Sequence, residues 1–193
     1  MRHLAKLSDK RRFYAFVVLV TLVAFATRTW IILAFEHPGD NVYSDMSGYI
    51  ARGLRVLRGD WERDCFPFGA HWFYAAQLWV FGPGVSAYSP MAWVHVAWGT
   101  LAVPAVMLAT RRTVRGIWPA VCVGLAVAFW YPSLVFHGYF SSEVPYITPL
   151  VASHWLWLRF AQTGRGGWLA ALASSVAFAI RPQVLLFVVL LAL

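Results

Sequence analysis

Three residues of this chain pair a reactive side chain with an unusual setting. Asp45 lies in "SDMSGYIARGL", Glu143 in "SSEVPYITPL" and Arg181 in "AIRPQVLL". A carboxylate within hydrogen-bond reach of a hydroxyl can take its proton, and a guanidinium is well suited to holding phosphate oxygens. Arg181 interrupts an apolar run and precedes Pro182. An arginine inside a membrane helix costs at least about 2.5 kcal/mol on insertion scales and is functional by default, while the proline bends or ends the helix. Plainer uses exist for all three. Asp45 and Glu143 each stand where a helix should begin, so each suits N-capping and the positive end of the dipole. Arg181 can simply pair with Glu143 or with backbone carbonyls, and Arg52, Arg55 and Arg58 can contact lipid phosphates.

The elements that must position these residues are hydrophobic. The chain is 60% apolar and 12% charged, with a mean hydropathy of +0.61, too greasy for an ordinary soluble domain. Residues 13–35 are apolar except for Arg28 and reach about 35 Å as a helix, enough to cross a bilayer. A cleaved signal peptide is the competing reading of this segment, but apolar sequence resumes at Trp30. Further apolar runs cover residues 88–109, 117–136, 144–160 and 168–193, with a shorter run at 66–81 that Pro67 interrupts and Gly82-Pro83-Gly84 closes. The net charge of +8 sits in short clusters between these runs, without the aromatic-interleaved basic surface of a nucleic-acid module. No nucleic-acid partner is expected. Cys65 and Cys122 make no metal or disulfide spacing and read as structural.

Lys and Arg are enriched in cytoplasmic loops, which decides whether residues 66–81 cross. The N-terminal cluster of Arg2, Lys6, Lys10, Arg11 and Arg12 belongs inside. If 66–81 lies on the membrane, Arg111, Arg112, Arg115, Arg159 and Arg165 also fall inside; if it crosses, they fall outside. The first arrangement is favoured. It makes residues 36–87 a first extracytoplasmic region holding Glu36, Asp40, Asp45, Asp60, Glu62 and Asp64, six of the eight acidic residues, and puts Glu143 in a second outer loop. Within the first loop Met46, Tyr49, Ile50, Gly53, Leu54 and Leu57 recur on one side at helical spacing, the pattern of an amphipathic helix lying in the interface. The expected architecture is all-α and polytopic in a single domain over 1–193, with about five transmembrane helices and two interfacial helices.

Taken in order, "SDMSGYIARGL", "FPFGAHWFYAAQLWVFG", "YPSLVFHGYFSSEVPYITPL" and "AIRPQVLL" resemble the GT-C superfamily of integral-membrane glycosyltransferases. The likeness is greatest to the bacterial branch related to protein O-mannosyltransferases and lipid A aminoarabinose transferases. It implies a first outer loop with two amphipathic helices, a sugar donor carried on polyprenyl phosphate, and a lipid, glycan or protein acceptor at the outer face of the plasma (inner) membrane. By the resemblance Asp45 matches the catalytic base and Glu143 an acid lining the same cavity. The family often has a second acid after the first. Met46 stands there instead, which leaves Asp40 and Glu36 as replacements. The lipid phosphate leaves better beside positive charge, supplied by Arg181, Arg58 or Arg63. Inversion at the anomeric carbon follows from one in-line attack.

The resemblance also makes Tyr49 a cavity-lining aromatic, with a membrane anchor as its plainer reading. His71 and His137 fall where they can face the same cavity or serve as hydrogen-bonded scaffold. Metal dependence varies within the family, so a divalent metal is compatible with the site, and no ligand spacing in the chain assigns one. Family members are usually longer than 193 residues, so the chain reads as the N-terminal portion of such an enzyme. Two other classes compete with it. A transporter or flippase of a lipid-linked substrate should show repeat symmetry, and a non-catalytic scaffold should tolerate the loss of Asp45, Glu143 or Arg181.

Overall fold

The computed structural model describes residues 2–35, 42, 45–60, 68–114, 116–183 and 185–186, with side chains from residue 9 onward. The protein is all-helical, with no strand among the described residues. Helix α1 (Arg2–Ala34) is followed by α2 (Asp45–Leu57) and α3 (Phe68–Phe81). A single 3-10 turn at Val85–Ala87 leads into α4 (Tyr88–Thr100) and α5 (Ala102–Thr113). Then come α6 (Trp118–Ala128), α7 (Tyr131–Val135), α8 (Glu143–Thr163) and α9 (Gly167–Ile180).

Prolines and glycines set most of the breaks. Pro104 cannot donate to the Thr100 carbonyl, so α4 and α5 part at Leu101. There the Trp98 carbonyl accepts the Leu101 N–H at 3.1 Å and the Thr148 hydroxyl of α8 at 2.8 Å. Between α8 and α9, Gly164 takes the left-handed conformation (φ 66°) and its N–H closes on the Phe160 carbonyl at 2.7 Å. This is the usual glycine stop of a helix, and it folds α9 back along α8.

Polar contacts define the two ends of the bundle. Arg111, at the end of α5, forms an ion pair of 2.7 Å with Asp9 in α1. Its neighbour Arg112 donates to the Gln162 side chain near the end of α8 at 2.7 Å, and Gln162 donates back to the Arg112 carbonyl at 3.1 Å. The basic start of α1, the end of α5 and the α8–α9 turn therefore share one end. Helices α2 and α3 pack at the other end, where Met46, Tyr49, Ile50, Tyr74 and Leu78 join Met91, Phe140 and Ile180 in one buried cluster. A second cluster in the basic half joins Phe13, Val17, Val20 and Ala24 to Val103, Met107, Ala120 and Val121.

Much of the outer surface is apolar. One face of α1 buries Phe13, Val17, Val20, Ala24, Arg28 and Ile32, while Val18, Leu19, Leu22, Phe25, Trp30 and Leu33 are exposed. The stretches Asp9–Ala34 and Val85–Thr113 are long and apolar enough to cross a membrane. Helices α6 and α9 are apolar but shorter, because Pro132 and Pro182 stand just beyond their ends. Helix α8 has 21 residues, but Thr148, Ser153, His154 and Arg159 dilute its apolar character. At 14 residues, α3 is about 20 Å long, short of the roughly 30 Å hydrocarbon core.

Candidate functional site

Pro182 explains where Arg181 points. A residue before proline is pushed out of the helical region, and Arg181 is extended (φ −143°, ψ 108°) although its N–H still bonds to the Ala177 carbonyl at 2.8 Å. The side chain leaves the axis of α9 and meets the start of α8. Its Nε and Nη2 donate to the Ser142 hydroxyl at 2.9 and 2.8 Å, and Nη2 pairs with Oε1 of Glu143. Ser142 precedes α8 but makes no side-chain capping bond; its hydroxyl accepts from Arg181. One turn on, the Tyr146 ring centroid lies 5.8 Å from the guanidinium carbon, within cation–π range. The side chains of Arg181 and Glu143 keep 34% and 28% of their accessible surface, so a ligand can reach both.

The loop that carries Glu143 is fixed by Tyr74 of α3. This tyrosine is fully buried, and its hydroxyl donates to the Ser141 carbonyl at 2.7 Å. Burial, and then the nearby Tyr49 and Glu143, push its pKa well above the ordinary tyrosine range, so it stays a neutral donor. Tyr49 of α2 packs its ring 5.8 Å from Tyr74 and 6.4 Å from His71. Two glycines permit this closeness. A Cβ on Gly53 would stand 3.1 Å from the Ala75 nitrogen, and one on Gly69 would stand 2.6 Å from the Ala179 carbonyl carbon. Thus α2 lies tight on α3, and α3 lies tight on the last turn of α9, just before Arg181.

Glu143 and Arg181 are in direct contact. Asp45 is exposed in the first turn of α2, where its charge suits the helix dipole. It belongs to the same helix as Tyr49, which packs on Tyr74 and so connects α2 with the Glu143 loop. Met46, the residue after Asp45, is a buried core residue. Arg58 is exposed in the turn after α2, about 18 Å of helix rise from Asp45. Tyr49 and His71 are buried between α2 and α3. Arg63, Asp40 and Glu36 lie outside the described residues. No group of three or more His, Cys, Asp or Glu side chains able to hold a metal occurs among the described residues.

His137 has a partner that sequence reasoning did not single out. Arg28 of α1 is fully buried and its Nε donates to His137 Nε2 at 3.3 Å, so that nitrogen is unprotonated. Arg28 also donates to the carbonyls of Ala24 at 3.1 Å, Val127 at 3.4 Å and Ala128 at 3.5 Å, and to the Ser133 hydroxyl at 3.5 Å. Val127 and Ala128 end α6, where carbonyls lack helical partners and the dipole is negative. The signal was the lone charge in residues 13–35; its acceptors beyond Ala24, more than 90 residues away, were not legible. Neither a protein-family model nor a curated protein nor a solved structure matches this chain.

Proposed function

We propose that the protein is a GT-C-type glycosyltransferase that moves a sugar from a polyprenyl-phosphate carrier to an acceptor hydroxyl at the extracytoplasmic face. The observation that carries this reading is the half-open Arg181–Glu143–Ser142 cluster, which sits at the end of the bundle away from the basic cluster and beside the α2–α3 pair. The exposed apolar face of α1 supports immersion in a bilayer, since monomeric soluble proteins rarely expose contiguous apolar patches of this kind. The gathering of Asp9, Arg111, Arg112 and Gln162 at one end supports a cytoplasmic N-terminus in the plasma membrane.

In this mechanism the Asp45 carboxylate takes the proton of the acceptor hydroxyl as its oxygen attacks the anomeric carbon. The bond from that carbon to the phosphate oxygen breaks from the opposite face, so the configuration inverts. The lipid phosphate keeps the bonding electrons, and Arg181 meets its charge. Glu143 holds Arg181 in place and offers a second acceptor to the incoming hydroxyl. A second reading, a membrane scaffold without catalysis, is favoured by the fact that Arg181 is already bonded to Glu143 and Ser142.

The test supplies labelled polyprenyl-phosphate sugars to membranes holding matched amounts of wild type or Asp45→Asn. Transfer by wild type and its loss in the variant are expected. Equal transfer by both would move the base to another acid, and transfer no greater than in membranes lacking the protein would favour the scaffold.

A further inference from the structure

The basic end of the bundle carries a groove of about 570 Å³ between α1 and α5, lined by Asp9, Lys10, Phe13, Tyr14, Leu108, Arg111 and Arg112. We infer that this groove is a binding site for the headgroup of an anionic phospholipid. The inference rests on the membrane reading above and not on glycosyl transfer.

Charge complementarity comes first. Three cations and one carboxylate line the groove. Asp9 is committed to Arg111, whereas Arg112 is held by the neutral amide of Gln162 and keeps its charge for a ligand. Lys10 adds a third positive group on the exposed start of α1, and Arg11 and Arg12 follow it in the same turn. A phosphodiester, with two oxygens sharing one negative charge, fits between an ammonium and a guanidinium.

The walls indicate a lipid. Below the cations the groove is lined by Phe13, Tyr14 and Leu108. Tyr14 is half-exposed, and nearby Trp118 is exposed with its ring 5.5 Å from Phe16. Half-exposed Tyr and Trp beside a basic cluster mark the level of a headgroup boundary, and basic pockets between helices on the cytoplasmic side bind anionic headgroups. Arg111 lies 5.8 Å over the Phe13 ring, so the floor of the groove is held by contacts that a ligand need not form.

The protein is first shown by alkaline carbonate extraction to be integral to membranes; release into the supernatant would end the membrane reading itself. Detergent-purified protein is then titrated with short-chain phosphatidylglycerol, short-chain phosphatidylcholine or inorganic phosphate, following the thermal unfolding midpoint. Phosphatidylglycerol should raise the midpoint saturably, and the other two should not. Lys10→Gln should weaken the apparent affinity about fivefold, the equivalent of about 1 kcal/mol per basic residue, and Lys10→Gln with Arg112→Gln about 25-fold. Arg159→Gln with Arg165→Gln, at the same end but outside the groove, should leave it unchanged. Equal shifts with phosphatidylcholine, a match by inorganic phosphate, or equal losses in the two double variants would each overturn the proposal. Lys10→Gln has no described side-chain bond to lose, so it tests the site even if Arg112→Gln weakens the fold.

Discussion

Arg181 and Glu143, 38 positions apart in sequence, form an ion pair at the mouth between α8 and α9, and the hydroxyl of Ser142 accepts two further bonds from the same guanidinium. The pair ties the extended residue after α9 to the first residue of α8. It therefore has a structural effect and, in the proposed reaction, a chemical one. Exchanging the charges separates them. Arg181→Gln or Glu143→Gln alone should lower the thermal midpoint by about 2–4 °C, the equivalent of about 1 kcal/mol in a chain of this size. Arg181→Glu combined with Glu143→Arg should recover most of that loss without recovering sugar transfer. Recovery of transfer by the swapped pair would reduce the cluster to a structural clamp.

Arg28 predicts a larger effect on stability. Its guanidinium serves two carbonyls at the end of α6, the Ser133 hydroxyl and His137, and all of these lose their donor if it is removed. A buried acceptor left alone costs about 1–3 kcal/mol. Arg28→Met should therefore lower the midpoint well beyond the effect of His137→Phe, which leaves the carbonyl bonds in place. Arg28→Lys should fall between them, since an ammonium lacks the planar fork that reaches both α6 and His137. Equal midpoints for Arg28→Met and wild type would show that this network contributes nothing.

Close backbone approach makes a third prediction. A methyl group on Gly69 would lie 2.6 Å from the carbonyl carbon of Ala179, one residue before Ile180 and two before Arg181. Backbone cannot yield as a flexible side chain can, so Gly69→Ala should push α3 from α9 at a cost of about 1–3 kcal/mol. It should also reduce transfer more than Gly84→Ala, whose nearest contact would be the Ser86 hydroxyl at 3.7 Å. Both variants are compared by thermal midpoint and by transfer per folded molecule.

What was legible follows from locality. The face of α2 that buries Met46, Tyr49, Ile50 and Gly53 is a spacing within 13 residues, and the break at Arg181 is set by the residue next to it. Both could be read from sequence because the cause lies inside one helix. The tight contacts at Gly53 and Gly69 could not, because a glycine does not reveal what will lie against it. Arg28 stood out as a charge in an apolar run, but the C-terminus of α6 became its partner only through the packing of α1 against α6 and α7. The apolar run at 117–136 reads as one crossing, and that at 168–193 as a crossing bent or ended at Pro182. The structure describes α6 and α9 as 11 and 14 residues, since a hydropathy run counts residues on both sides of a proline as one.

The separation of charge between the two ends yields the last prediction. Asp9 bonds to Arg111 and Arg112 bonds to Gln162, so α1, α5 and α8 have these ends side by side whatever surrounds them. The turn after α2, at Arg58 to Asp60, belongs with the α2–α3 pair. If a bilayer surrounds the apolar faces, these two regions must face different compartments. In a background with Cys65→Ser and Cys122→Ser, single substitutions Asp60→Cys and Arg165→Cys report on them through a membrane-impermeant maleimide. Asp60→Cys should label in intact cells, with the outer membrane opened where one is present. Arg165→Cys should label only after the inner membrane is permeabilised. With native Cys122 restored alone, labelling should need unfolding, because that residue lies on the apolar surface of α6. Labelling of both single substitutions from the same side would contradict the five-crossing arrangement, since an even number of crossings would then separate α2 from the α8–α9 turn.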